Sequence, residues 1–190
     1  MIEPYGELKI KLWQSGWMRT FLTAIVLLIP NVQFFAKIIL IMIFDTFDCN
    51  NSYYPIIPTF SKNDKNVCGS NYYNIVDKIA DSIDYTLLYL YYLFYVDSPS
   101  GLKIYISYLF FLRMFGFVLF MITKNRNWFL VFPNFFLESL LVIAILQDFG
   151  FPYEEYSNVY ILLLFAVIII KYCQELIVHS IWKNKQTIRV

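Results

Sequence analysis

Charge is what this sequence has least of. Asp, Glu, Lys and Arg make up 15% of its 190 residues, against roughly 25% in soluble domains. So few charges cannot cover a folded surface that faces water. The net charge is +1 with no basic or acidic block, which excludes the electrostatic footprint of a nucleic-acid binder. There is one histidine, His179, and the cysteines at 49, 68 and 173 form no C-x-x-C pair. A His- or Cys-based metal or catalytic cluster is therefore not expected from this chain. The phosphate-binding glycine loop, the G-x-S-x-G elbow and H-E-x-x-H are missing. So are an arginine ladder, a filter-like glycine repeat and an internal repeat. No enzyme activity, metal or cofactor is expected.

What is present is apolar and aromatic. Phe, Tyr, Ile, Asn and Lys together supply 83 residues. Their codons are AT-rich, so an AT-rich genome, such as that of an organelle, protist, parasite or large virus, explains part of the aromatic content without appeal to function. About 20 apolar residues cross a bilayer. The sequence supplies such stretches repeatedly, and it reads as an all-α integral membrane protein forming a single domain.

The first apolar segment, 17–47, is long for one span. Pro30-Asn31 breaks it, and Gln33 and Lys37 follow. It is either a kinked span or a re-entrant helical hairpin. Residues 48–73 form a polar loop punctuated by Pro55, Pro58 and Gly69. Within it, Asn50-Asn51-Ser52 matches the short glycosylation pattern. From Asn74, apolar residues recur at helical spacing between Asp77, Lys78, Asp81 and Asp84. One helix over 74–97 is expected, its first half wet or interfacial and its second half entering lipid. Ser98-Pro99 then caps and starts a helix over 99–123. A further span covers 128–148, kinked in its second turn by Pro133 and stopped by Gly150 and Pro152. The last covers 158–180. The expectation is a bundle of four spans plus the N-terminal kinked span or hairpin.

The N-terminus carries Glu3 and Glu7 and lacks the pattern of a transit or signal peptide. With the first segment as a single span, Lys and Arg divide 4 to 8 between the two sides; with a hairpin they divide 11 to 1. Both counts place the basic tail "KNKQTIRV" on the matrix or cytoplasmic side. They also place the 48–73 loop there. Cys49 and Cys68 flank that loop and could bridge it, but a disulfide needs an oxidising side. Two free thiols are the expectation, with the bridge as the alternative.

Arg113 and Glu138 sit in the middle of adjacent spans, 12 residues before and 13 after Asn125. At about 1.5 Å per residue they reach the same depth if both helices are continuous. An unpaired central charge costs roughly 2.5–3.5 kcal/mol on the insertion scale, so an Arg113–Glu138 ion pair is expected. Asn134 and Ser139 stand ready to add hydrogen bonds. Lys171 and Glu175, four apart on one helical face, form a second charged layer. Tyr85, Tyr89 and Tyr92 share a face of the 74–97 helix, which reads as helix packing before it reads as a quinone or lipid groove.

Because the charges balance, structural glue is the first reading of this layer and an ion or proton path the second. The corresponding function is a non-catalytic accessory subunit of a multi-subunit membrane complex. A respiratory or ATP-synthesising assembly of the mitochondrial inner membrane is one setting. Its partners would be the lipid bilayer and other membrane subunits, not nucleic acid. The alternative is a small ion or proton channel or transporter using Arg113, Glu138, Lys171 and Glu175.

Overall fold

A computed structural model describes residues 4–45, 71–125 and 127–187. All regular structure among them is helical: α1 Pro4–Leu28, α2 Phe34–Asp45, α3 Asn71–Tyr95, α4 Ser100–Thr123, α5 Trp128–Val131, α6 Phe135–Asp148 and α7 Tyr153–Thr187. By packing, the chain divides into two compact units, residues 1–96 and 97–190.

The first unit resolves the long apolar segment into a helical hairpin. Pro30 has no amide to continue α1, and Asn31 takes a left-handed φ of 58°, a conformation asparagine tolerates better than most residues. The chain reverses there. Arg19 of α1 meets Asp45 of α2, and Leu27 of α1 meets Lys37 of α2, so the two helices run back along one another. Lys37 Nζ donates to the Leu27 carbonyl at 2.8 Å and to Tyr91 Oη at 2.8 Å. It thereby satisfies a carbonyl that the end of α1 would otherwise leave unpaired.

α3 packs chiefly on α1 and runs parallel to it, with Gly16 opposite Val76 and Ala80 and Arg19 opposite Asp81 and Asp84. The tyrosine stripe is part of this core. Tyr85, Tyr89 and Tyr92 are all buried, and Phe34 stacks on Tyr91 and Tyr92.

In the second unit α4 closes on Lys124, whose left-handed φ of 56° lets its amide reach the Phe120 carbonyl at 2.7 Å. The stretch expected as one kinked span is two helices. Pro133 ends α5 at Val131, and Phe132 leaves helical geometry (φ −120°, ψ 70°). The C-terminus of α6 is a Schellman closure. Gly150 (φ 80°) donates to the Gln147 carbonyl at 3.1 Å and Phe151 to the Leu146 carbonyl at 2.9 Å. α7 starts at Tyr153, before the expected 158, with a non-helical residue at Tyr156. It packs on α6, and its Tyr160 and Leu164 are buried.

Three stretches among the described residues are long and apolar enough to cross a membrane: Ser100–Thr123, Trp128–Asp148 and Tyr153–Ile177. Three of the four expected spans, 99–123, 128–148 and 158–180, fall on these stretches. α3 has the length, but Asp77, Lys78, Asp81 and Asp84 interrupt its apolar character. The apolar part of α1, Gly16–Leu28, is shorter, and α2 has 12 residues, fewer than a crossing requires.

Candidate functional site

Among the described residues the densest polar cluster lies in the first unit, and it follows from two helical stripes. Asp77, Asp81 and Asp84 are spaced four and three apart and so share one face of α3. Gly16, Thr20 and Thr23 share a face of α1 by the same rule. Packing those faces together places Arg19 among the aspartates. Its Nε lies 3.1 Å from Asp84 Oδ2, and its Nη2 lies 2.7 Å from Asp81 Oδ1 and 3.3 Å from the Asp77 carbonyl. Nη1 lies 2.8 Å from Asp45 Oδ1 and 3.4 Å from Asp77 Oδ1. Every N–H of the guanidinium fork is thus engaged. Burial opposes the charge of Arg19, but the four carboxylates, Asp81 foremost, outweigh it and raise its pKa further.

The carboxylates are not equivalent. Asp77 and Asp81 are each held by two cations, because Lys78 Nζ lies 2.9 Å from Asp77 Oδ2 and 2.5 Å from Asp81 Oδ2. Asp45 and Asp84 each give one oxygen to Arg19. Sequence reasoning left this cluster unassembled, although the stripe of three aspartates facing an apolar segment with one arginine was a usable signal. Among the described residues no group of three His, Cys, Asp or Glu is arranged to hold a metal ion.

In the second unit the structure does not bring Arg113 and Glu138 together. Arg113 is 8% exposed. Its Nη1 donates to the Phe132 carbonyl at 3.1 Å, and its guanidinium lies 4.4 Å from the centre of the Phe129 ring. The correction has a clear cause. The break at Pro133 frees the Phe132 carbonyl from helix bonding and removes the continuous helix on which equal depth depended. Glu138 pairs instead with Lys171, Oε1 to Nζ at 2.7 Å. Lys171 also lies 3.7 Å from Glu175, the pairing that their spacing suggested. Ser139 is fully buried 3.5 Å from Tyr105 Oη, and Asn134 is buried at the break. The lysine is therefore shared by two carboxylates, and the Oε2 of Glu138 is buried without a hydrogen bond.

Cys173 is a free, exposed thiol. Cys49 and Cys68 lie outside the described residues. No family model, curated protein or solved structure matches the chain.

Proposed function

We propose that this chain is a non-catalytic accessory subunit of a multi-subunit membrane complex, held in the bilayer by α4, the α5–α6 stretch and α7. One observation carries the reading. Only 11% of the most apolar window of α7 is buried, and Ile161, Leu162, Phe165, Ile170 and Ile177 face outward, while Lys171 turns inward to Glu138. A helix whose central charge is answered within its own unit, and whose outward residues around it are largely apolar, suits acyl chains and neighbouring helices. The AT-rich composition favours an organellar setting such as a mitochondrial respiratory or ATP-synthesising assembly. The charge distribution favours the matrix side for the tail.

A second reading, a small ion or proton channel or transporter, draws on the buried, unpartnered Oε2 of Glu138 beside Lys171. One pair of experiments separates the two. Gentle extraction followed by native electrophoresis places an accessory subunit in a large assembly of defined partners. Reconstitution of the purified chain in liposomes gives no ion flux on the first reading. Flux that is abolished by Glu138→Gln overturns it.

A further inference from the structure

Two of the membrane-held helices turn an apolar stripe outward, and the stripes differ. On α4 it is Ile104, Tyr108, Phe111, Phe115, Val118 and Ile122, with no small residue to let another backbone come near. On α7 it is Val159, Leu162, Ala166, Ile169, Cys173 and Leu176. These follow one another at steps of three and four, a heptad pattern that begins just past the non-helical Tyr156. At about 1.5 Å per residue the stripe runs about 26 Å, most of the hydrocarbon depth.

The α7 stripe is complementary to itself. Ala166 and Cys173 recur at one heptad position, and small residues let helix backbones approach in a membrane. Val159 shares that position, while Leu162, Ile169 and Leu176 fill the other. Branched or small residues at a, with leucine prevailing at d, suit a two-stranded parallel pair. The flanks agree. In such a pair each g residue meets the e residue five positions on in the opposite helix. That sets Phe165 against Ile170 and Tyr172 against Ile177, an aromatic ring on an aliphatic side chain both times.

Charge permits the same pairing. Lys171 lies between Glu138 and Glu175 on the inward side of α7, with the buried Tyr160 and Leu164. That side is opposite the stripe, so a second copy brings no charge to the contact. Two copies carry the same distribution of Lys and Arg and insert the same way up. Their pair is therefore parallel, about a two-fold axis along the membrane normal. Eight of the ten stripe and flank side chains are 40–68% exposed. Covering them in a pair buries on the order of 1,000 Å² in total, the threshold of a specific contact.

We propose that α7 pairs in parallel with α7 of a second copy of this chain, Ala166 meeting Ala166 and Cys173 meeting Cys173. The pairing rests on the membrane reading above, and it brings the accessory subunit into its assembly two at a time.

The test is cross-linking of the full chain with a short bifunctional maleimide, in native membranes and, after purification, in liposomes. Cys49 and Cys68 are changed to Ser, so that Cys173 is the one thiol. A product of twice the chain's mass is expected in both settings. When Cys173→Ser is added, Leu162→Cys and Ile169→Cys are each expected to restore the product. Ile161→Cys, exposed but off the stripe, and Phe115→Cys on α4 are expected to give none. Ala166→Phe is expected to abolish the Cys173 product, because the backbones no longer approach. The pairing is overturned if Cys173 gives only monomer, which leaves the face to lipid. A product joined to a different polypeptide overturns it too and leaves the face to another subunit. So does an Ile161→Cys product as strong as that of Ile169→Cys, the mark of random collision, or an Ala166→Phe variant that changes nothing. Alkaline carbonate extraction of the same membranes separates the two levels. A retained chain that stays monomeric overturns the pairing alone, and a released chain overturns the membrane reading with it.

Discussion

Arg113 is bound to the carbonyl of Phe132, 3.1 Å from its Nη1, across the gap that Pro133 opens between α5 and α6. The cation and the helix break answer one another. A proline-freed carbonyl in an apolar surrounding needs a donor, and a buried guanidinium needs acceptors. The Phe129 ring 4.4 Å away adds a cation–π contact.

This relationship separates two pairs that the sequence would couple. In a double-mutant cycle on stability in detergent, Arg113→Met with Glu138→Gln is expected to be additive within about 0.5 kcal/mol. Lys171→Met with Glu138→Gln is expected to show coupling of about 1 kcal/mol, in keeping with the 2.7 Å contact. Coupling in the first cycle and none in the second would restore the sequence-based pairing.

Gly116 makes the same contact region intolerant of any side chain. A Cβ there would stand 2.6 Å from Phe132 Cβ, an atom fixed close to the backbone and unable to swing away. Gly116→Ala is therefore expected to cost about 1–3 kcal/mol through overpacking and to displace the carbonyl that holds Arg113. A thermal unfolding midpoint equal to that of the unsubstituted protein would show that α4 and the break are farther apart.

Arg19 is the cation on which four carboxylates converge, and removing it leaves them without their shared partner. Arg19→Gln is expected to destabilise the first unit by about 3–5 kcal/mol near neutral pH, the usual penalty for stranding buried charge. Acidification should reverse much of this, because protonated aspartates need no cation. Limited proteolysis of α1 and α3 at neutral and acidic pH reads the effect; equal cleavage at both would contradict it.

For Asp84 the sign of the pH dependence is fixed. Its folded-state pKa is raised to about 6, so its contribution to stability is fully present below the ordinary aspartate range and lost as pH rises through about 6. A shift of about two units corresponds to something on the order of 3 kcal/mol. Unfolding midpoints are expected to fall between about pH 4 and pH 6.5, and Asp84→Asn should flatten part of that fall while raising stability at the upper end. The remainder belongs to Asp45 and Asp77, which burial also raises. An Asp84→Asn variant with an undiminished slope would assign the whole effect elsewhere.

The helical class and the chain breaks were legible because they depend on local chemistry. Pro30 and Gly150 act on their own backbones, and each ends a helix where the sequence placed a break or stop. The spans at 99–123 and 128–148 were visible from length and apolarity alone. The partners of the charges were not, because they depend on register between distant segments. Equal depth for Arg113 and Glu138 assumed that Pro133 bends a helix, whereas it interrupts one. Asp77, Asp81 and Asp84 read as a wet face, since aspartates four and three apart are usually solvated; only the hairpin brings Arg19 back to meet them, 58 to 65 residues away in sequence. The closeness of Gly116 to Phe132 leaves no mark in the sequence at all.

The turn at Pro30-Asn31 also changes the arithmetic of the chain's path. Because α2 retraces the second half of α1, with Asp45 returning to the level of Arg19 across 26 residues of chain, those residues advance the path along the axis of α1 by almost nothing.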